Sequence, residues 1–386
     1  MTEAEPQTVH EPVRFIPSDD RLAPSNGTAL CLSGGGYRAM LFHLGAVWRI
    51  NDAGMLRSLE RISSVSGGSI TAAVLGKAWD SLGFAADGVA AGLLELVVEP
   101  LRELAAHTVD ESAVAIGILT PGTVSDHVAR AYDKHLFNGS TLQDLPASGP
   151  KFIINSTNLA SGELWRFSRS YMGDWRIGLI ENPHVSLAQA VAASSAFPPV
   201  LSPCGLDVRN ETWKNVEGND LTGSDFRSEI ELTDGGVYDN LGLETAWKRC
   251  HTVLVSDAGG LMKPAAHPHD DWVLQSLRVT KVIDNQVRAL RKRQVLDGYI
   301  SKAREGVYWG IRSDIANFPA ASALPCPVQA TLRLAELPTR LQALESGEQQ
   351  RLINWGYAVC DAGLRAHLRT DLPAPASFPY ADAGVG

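Results

Sequence analysis

Apolar positions along the chain gather into short runs that stop at glycine, and each run is followed by a stretch with helical spacing. Thr28 to Ser33 ends at Gly34-Gly35-Gly36, after which Met40, Leu44, Val47 and Trp48 recur at helical intervals through Tyr37 to Asn51. The same unit returns at Leu59 to Val65, followed by Ser66-Gly67-Gly68 and a small-residue helix from about Ser69 to Trp79. Two such units in succession predict parallel strands. Lys151 to Ser156 and His251 to Ser256 read as further buried strands, and Glu163 to Ser168 alternates like a half-buried one. Ser186 to Ser195 predicts a helix that Pro198-Pro199 ends, and Leu243 to Arg249 a short one. Strands alternating with helices give an α/β layered sheet.

Proline and glycine mark the divisions. Residues 1–27, with Pro6, Pro12, Pro17, Pro24 and Gly27, predict a flexible leader ahead of a core over 28–260. Within that core, about 85–145 is mainly helical, broken at Pro100, Pro121 and Gly122, and is expected to form a cap. Residues 205–230 are polar and glycine-containing, which predicts a loop-rich insertion. Residues 261–370 are expected to be mostly helical, apart from strand-like Val307 to Ile311, and packed on the core. Pro373, Pro375 and Pro379 mark a tail over 371–386.

With 45% hydrophobic and 20% charged residues among 386, the chain can bury a sizeable core. The formal charge of -9 argues against a nucleic-acid partner. Five cysteines without C-x-x-C spacing suit a reducing compartment, and neither a metal nor another cofactor is expected. Glu3, Glu5 and Glu11 stand where an export signal needs basic residues, so a cytoplasmic location is expected. Runs such as Ala29 to Leu32 and Val253 to Val255 are far below the roughly 20 apolar residues that span a bilayer, so any membrane contact is peripheral. One segment runs against the overall acidity. Over 278–304, Arg278, Lys281, Arg288, Arg291, Lys292, Arg293, Lys302 and Arg304 face only Asp284 and Asp297. Val279, Val282, Ile283, Val287, Leu290 and Val295 recur there at helical spacing. An amphipathic basic helix follows, its apolar face turned either to the protein's own core or to an anionic lipid surface.

Ser63-Ser64-Val65-Ser66-Gly67-Gly68-Ser69 sets a serine between a strand and a helix with glycines directly after it, the arrangement of a nucleophile elbow. A serine-glycine turn before a helix is also a common capping device. Ser64 occupies the first position of the G-x-S-x-G pattern in place of glycine. Ser33-Gly34-Gly35-Gly36-Tyr37-Arg38 likewise joins a strand to a helix, and its bare backbone N–H groups can line an anion site: an oxyanion hole, or a phosphate loop. Neither G-x-x-x-x-G-K-[ST] nor G-x-G-x-x-G is present there. Arg38 either holds a substrate phosphate or braces the loop. Asp234-Gly235-Gly236 presents a carboxylate at a tight turn, with Asp239-Asn240 close by.

Taken in order, Gly34-Gly35-Gly36-Tyr37-Arg38-Ala39, Ser64-Val65-Ser66-Gly67-Gly68, Ala193-Ser194-Ser195-Ala196-Phe197-Pro198-Pro199 and Asp234-Gly235-Gly236 resemble the patatin-like phospholipases over about 28–260. The resemblance implies a three-layer fold with a central mixed, mostly parallel sheet flanked by helices. It also implies hydrolysis of phospholipid or lysophospholipid acyl esters by a Ser-Asp dyad without metal. Residue by residue, Ser66 becomes the nucleophile, Asp234 the base, and Gly35, Gly36 and Arg38 the oxyanion site. Burial should raise the pKa of such an aspartate. The alternatives are a Ser-His-Asp esterase, for which His43 and His251 are poorly placed candidates, a non-catalytic lipid- or nucleotide-binding module, and a lipid-degrading effector switched on by a signal. His267 and His269 in H-P-H-D give only a weak metal-binding pattern.

Overall fold

A computed structural model describes residues 24–109, 123–268 and 270–386. Most of the expected leader, residues 110–122 of the expected cap, and His269 lie outside the described residues. The glycine-ended runs form strands Ser25–Leu32 (β1), Leu59–Val65 (β2), Lys151–Asn158 (β3) and Cys250–Asp257 (β10). Helices Gly36–Asp52 (α1) and Gly67–Ala78 (α2) follow the first two strands. Glu305–Gly310 (β11) joins them, giving five parallel strands in the order β11-β10-β1-β2-β3. Val253 to Val255 and Leu30 to Leu32 are fully buried, which is why the central strands read as unbroken apolar runs.

Beyond β3 the sheet turns antiparallel through Leu164–Phe167 (β4), Tyr171–Asp174 (β5), Gly178–Glu181 (β6) and Trp213–Lys214 (β8). Cys204–Asp207 (β7) pairs with Glu229–Asp234 (β9). The segment 205–230 is therefore not simply a loop: it carries most of β7, the two-residue β8 and a helical turn at Ser224–Arg227. Strands of two to four residues are too short for alternation to show.

One junction in this sheet brings distant segments together. β2 pairs with β3 as far as Val65 opposite Asn155, and β9, running the other way, begins pairing with Asp234 opposite Ser156. β4 occupies the far edge of β3 over the same residues, so β2 and β9 meet end to end on one edge. Their last residues are thereby neighbours.

The flanking helices include Glu99–Ala105 (α3), Val124–Tyr132 (α4), Leu187–Ser194 (α5), Trp272–Ile300 (α6), Val328–Glu336 (α7) and Ser346–His367 (α8). Pro100 does not interrupt the chain as expected. It stands at the start of α3 directly after the π-helical turn Leu94–Val98, whose wider hydrogen bonding accommodates its missing N–H. α8 lies tightly on α1, because a methyl on Gly45 would strike the Ile353 carbonyl and one on Gly356 the Phe42 carbonyl. Buried Asp361 accepts from Arg49 at 2.8 Å and Arg365 at 2.7 Å, so the charge enclosed between these helices is paired.

Candidate active site

Ser66 forms the turn between β2 and α2, with φ 51° and ψ -121°. Positive φ at a residue bearing a side chain costs on the order of 1–3 kcal/mol and persists only where the surroundings enforce it. Ser194 at the end of α5 does much of that. Its Oγ accepts from the Ser66 N–H at 3.0 Å, donates to the Asn155 carbonyl at 2.6 Å and shares a hydrogen bond with Ser69 Oγ at 2.9 Å. Ser64 departs from the usual glycine yet fits, since its Oγ donates to the Ile153 carbonyl at 3.2 Å and accepts from Ser69 at 3.1 Å. Ser63 is likewise bonded internally, to the Gly242 carbonyl at 2.6 Å and to Thr245.

Asp234 ends β9 beside that turn. Its carboxyl accepts from the Gly236 N–H at 2.7 Å, and the Ser66 side chain is near enough to act on its pKa. Burial raises its pKa to about 7, outweighing the lowering effect of the Gly236 N–H and of Ser66. A carboxyl in that range can hold or release a proton near neutrality. Nearby Asp239 is buried and serves the fold: it accepts from the Leu241 N–H at 3.1 Å and the Glu244 N–H at 2.7 Å.

The glycine loop packs directly on the elbow. A methyl on Gly67 would strike the Gly36 carbonyl, and one on Gly34 would lie 3.2 Å from Ser66 Cβ. Gly36 itself has φ 61° and faces the Arg340 main chain, so alanine there meets both strain and collision. Gly36 and Gly67 are the first residues of α1 and α2, so their N–H groups have no intrahelical acceptor. Two helix N-termini thus converge at Ser66, with their partial positive charge where an oxyanion would form.

Arg38 is a brace. Its guanidinium donates to the carbonyls of Ala335 at 2.7 Å, Leu337 at 2.8 Å and Ala258 at 2.6 Å, which leaves the side chain engaged away from the oxyanion role that resemblance implied. His43 is buried, with Nδ1 2.8 Å from Ser256 Oγ and Nε2 2.9 Å from the Ser33 carbonyl, and burial lowers its pKa to about 4. It is a neutral packing residue. His251 stands at the start of β10, 4.0 Å from Glu305. Sequence reasoning missed Ser194, Asn155 and Asn240 as supports; Asn240, whose carbonyl accepts from Gly34 N–H at 3.1 Å, also lies against Gly236. The signal was present, since Ser194 lies inside the Ala193 to Pro199 block.

The family model described as patatin-like phospholipase matches residues 30–247. Among solved structures, human GIVD cytosolic phospholipase A2 is similar with a TM-score of 0.52 and 14% identity, over 87% of this chain and 60% of that one. The complex of the human enzyme with methyl gamma-linolenyl fluorophosphonate inhibitor and terbium chloride gives 0.51 and 15%, over 88% and 58%. At such identities the likeness is one of fold, and this chain spans about 60% of the length of those structures. No curated protein matches the sequence. The family match takes in more than half of the chain, including the elbow, the glycine loop and the Asp234 turn, and this chain belongs to the patatin-like phospholipase family.

Proposed function

We propose that this protein is a serine hydrolase of lipid acyl esters, phospholipids or lysophospholipids, working through a Ser66–Asp234 dyad. The observation that carries the reading is a buried carboxyl with a pKa near 7 at the end of β9, directly beside a serine on a strained turn at the end of β2. Asp234 takes the Ser66 proton as Oγ attacks the ester carbonyl. The negative charge on the carbonyl oxygen is met by N–H groups at Gly35 and Gly36, with Gly67 adjacent. Collapse of the tetrahedral intermediate expels the alcohol, which receives the proton from Asp234 and leaves an acyl-serine. Water then gives its proton to Asp234 and attacks the acyl carbon, and as this second intermediate collapses Asp234 returns the proton to Ser66 Oγ and the fatty acid leaves. Pre-positioning offsets the weakness of aspartate as a base. Membership of the family and the fluorophosphonate bound by the human structural relative both support an acyl substrate. In hydrolysis of a soluble short-chain ester, Ser66→Ala and Asp234→Asn should each lose at least about a hundredfold in kcat, in line with the loss of a positioned base. Histidine-to-alanine variants should keep substantial turnover. Full activity in Ser66→Ala would end this reading.

Peripheral contact with a lipid surface belongs to the same reading, though not through Arg291 and Lys292 among the basic residues first expected. Arg291 pairs with Glu244 at 2.8 Å and Lys292 with Asp257 at 2.6 Å, so neither projects toward a membrane. The first half of α6 instead presents apolar side chains to solvent: Trp272 is 78% exposed, Val279 51% and Ile283 59%. Arg278 and Lys281 flank them. An exposed tryptophan among aliphatic side chains with basic neighbours is the composition of an interfacial helix. Among the described residues no helix is long and apolar enough to cross a membrane.

A further inference from the structure

We infer that the cavity at the carboxyl ends of β10 and β11 holds the phosphate of a phospholipid headgroup; the inference rests on the dyad reading of Ser66. The cavity has a volume of about 260 Å³, and Asp257, Asn285, Arg288, Lys292, Arg312 and Ser313 contribute to its walls. Lys292 lies 2.6 Å from Asp257, so those two charges offset each other and both arginines remain. Asp284 stands 3.9 Å from Arg288, at the limit of an ion pair and not among the lining residues. Each guanidinium has five donors. Arg288 donates through Nη1 to the Gly260 carbonyl, and Arg312 through Nη2 to that of Ala335 at 2.9 Å. Arg288 Nη2 and Arg312 Nη1 make no hydrogen bond among the described residues, while the Nε groups are enclosed. Two guanidinium groups with donors to spare suit a phosphate, which accepts in a bidentate manner.

Position argues for a headgroup. The chain proceeds from β1 to β2 on one side of the sheet and from β10 to β11 on the other, so the strand order reverses beside β1. Ligands of open α/β sheets bind at such a reversal, outside the carboxyl ends of the strands; the loop after β10, which borders the reversal, also lines the cavity through Gly259 and Gly260. Asn240 connects the two sites: its carbonyl accepts from Gly34 N–H at 3.1 Å, and a methyl on Gly259 would lie 3.0 Å from its Nδ2 and against the Arg288 guanidinium. Gly34 in turn adjoins Ser66. The cavity is smaller than the roughly 300–1,000 Å³ of sites for drug-sized ligands, and its charged walls suit a polar headgroup better than an acyl chain.

The test uses the full chain carrying Ser66→Ala, titrated by calorimetry at fixed ionic strength with glycerophosphoglycerol, a soluble phosphodiester headgroup, and separately with inorganic phosphate. The diester should bind. Arg312→Gln in that background should weaken binding about tenfold, the effect of losing charge-assisted hydrogen bonds. Asn285→Asp, at an exposed position that touches neither arginine's internal bond, should weaken it similarly by adding a carboxylate. In the active enzyme, Arg312→Gln should lower the ratio of kcat/KM for a phospholipid to that for a diacylglycerol about tenfold. Binding of inorganic phosphate without the diester would overturn the headgroup assignment. So would folded variants, judged by melting temperature, that bind the diester as tightly as their parent. Hydrolysis by Ser66→Ala would instead overturn the dyad, a failure the calorimetry does not share.

Discussion

Asp234 can ionise only by placing a charge in surroundings that water does not reach, and that single fact couples rate to stability at this residue. A carboxyl whose folded pKa lies above its unfolded value binds its proton more tightly in the native state. Its contribution to stability is therefore full below pH 3.8 and is lost as pH rises through about 7. The difference amounts to on the order of 4 kcal/mol. Asp234→Asn keeps the shape and the hydrogen bond from Gly236 but never carries charge. It should melt higher than the parent at pH 8, with the gap narrowing toward pH 4, while hydrolysis is lost. A lower melting temperature at pH 8 would show that the carboxylate is favourably solvated. If Asp234 acts as the proposed base it must be ionised, so kcat/KM of the parent protein should climb with pH and level off above about 7. A profile flat between pH 5 and 8 would exclude Asp234 as the titrating base. Ser66 and Asp234 were legible in sequence because an elbow and a tight turn demand glycine next to one particular residue type. Ser194 was less so: a supporting hydroxyl has no required spacing, and only the fold brings it within 3.0 Å of the Ser66 N–H.

Among the elements, β3 sets the site by pairing with β2 through Asn155 and with β9 from Ser156 onward. α5 locks the junction through Ser194, which links the elbow, β3 and α2. Ser194→Ala removes these hydrogen bonds and leaves the Ser66 N–H without its acceptor. It should cost about 1–3 kcal/mol of stability and lower kcat more than it raises KM, since the nucleophile's geometry is disturbed ahead of binding. Circular dichroism melts and initial rates on one soluble ester would check both, and unchanged kcat would make Ser194 a packing residue only. The β1-α1-β2-α2 run was legible because buried parallel strands and glycine turns leave strong local patterns. The short strands β5 to β8 and the end-to-end meeting of β2 and β9 were not, because they depend on partners distant in sequence.

Over the whole molecule, the acidic surface and the basic α6 separate into two kinds of contact. Counting charges along 278–304 suggested a basic face, but Arg291 and Lys292 find Glu244 and Asp257, residues well removed in sequence. Reversing those two would set like charges against the buried carboxylate of Asp257 and the half-buried one of Glu244, so any loss of binding would be confounded with loss of stability. The sharper variant is Trp272→Ser with Ile283→Ser, which leaves every ion pair intact. Cosedimentation with vesicles containing anionic lipid should fall at least about fivefold for it, as expected when exposed apolar surface at an interface is removed. Turnover of a soluble ester should persist. If vesicle binding is unchanged while a self-associated form of the parent disappears, α6 is a contact between copies of this chain and not a lipid-docking helix.

Intact-mass analysis after reaction with a fluorophosphonate probe tests the central claim most directly, because the probe reports an activated serine whatever lipid is the natural substrate. The parent protein should gain one adduct, mapped by peptide sequencing to Ser66. Asp234→Asn should label far more slowly, and Ser66→Ala should remain unlabelled at the same exposure. An adduct that persists in Ser66→Ala, or no adduct on correctly folded parent protein, would contradict the assignment of Ser66 as nucleophile.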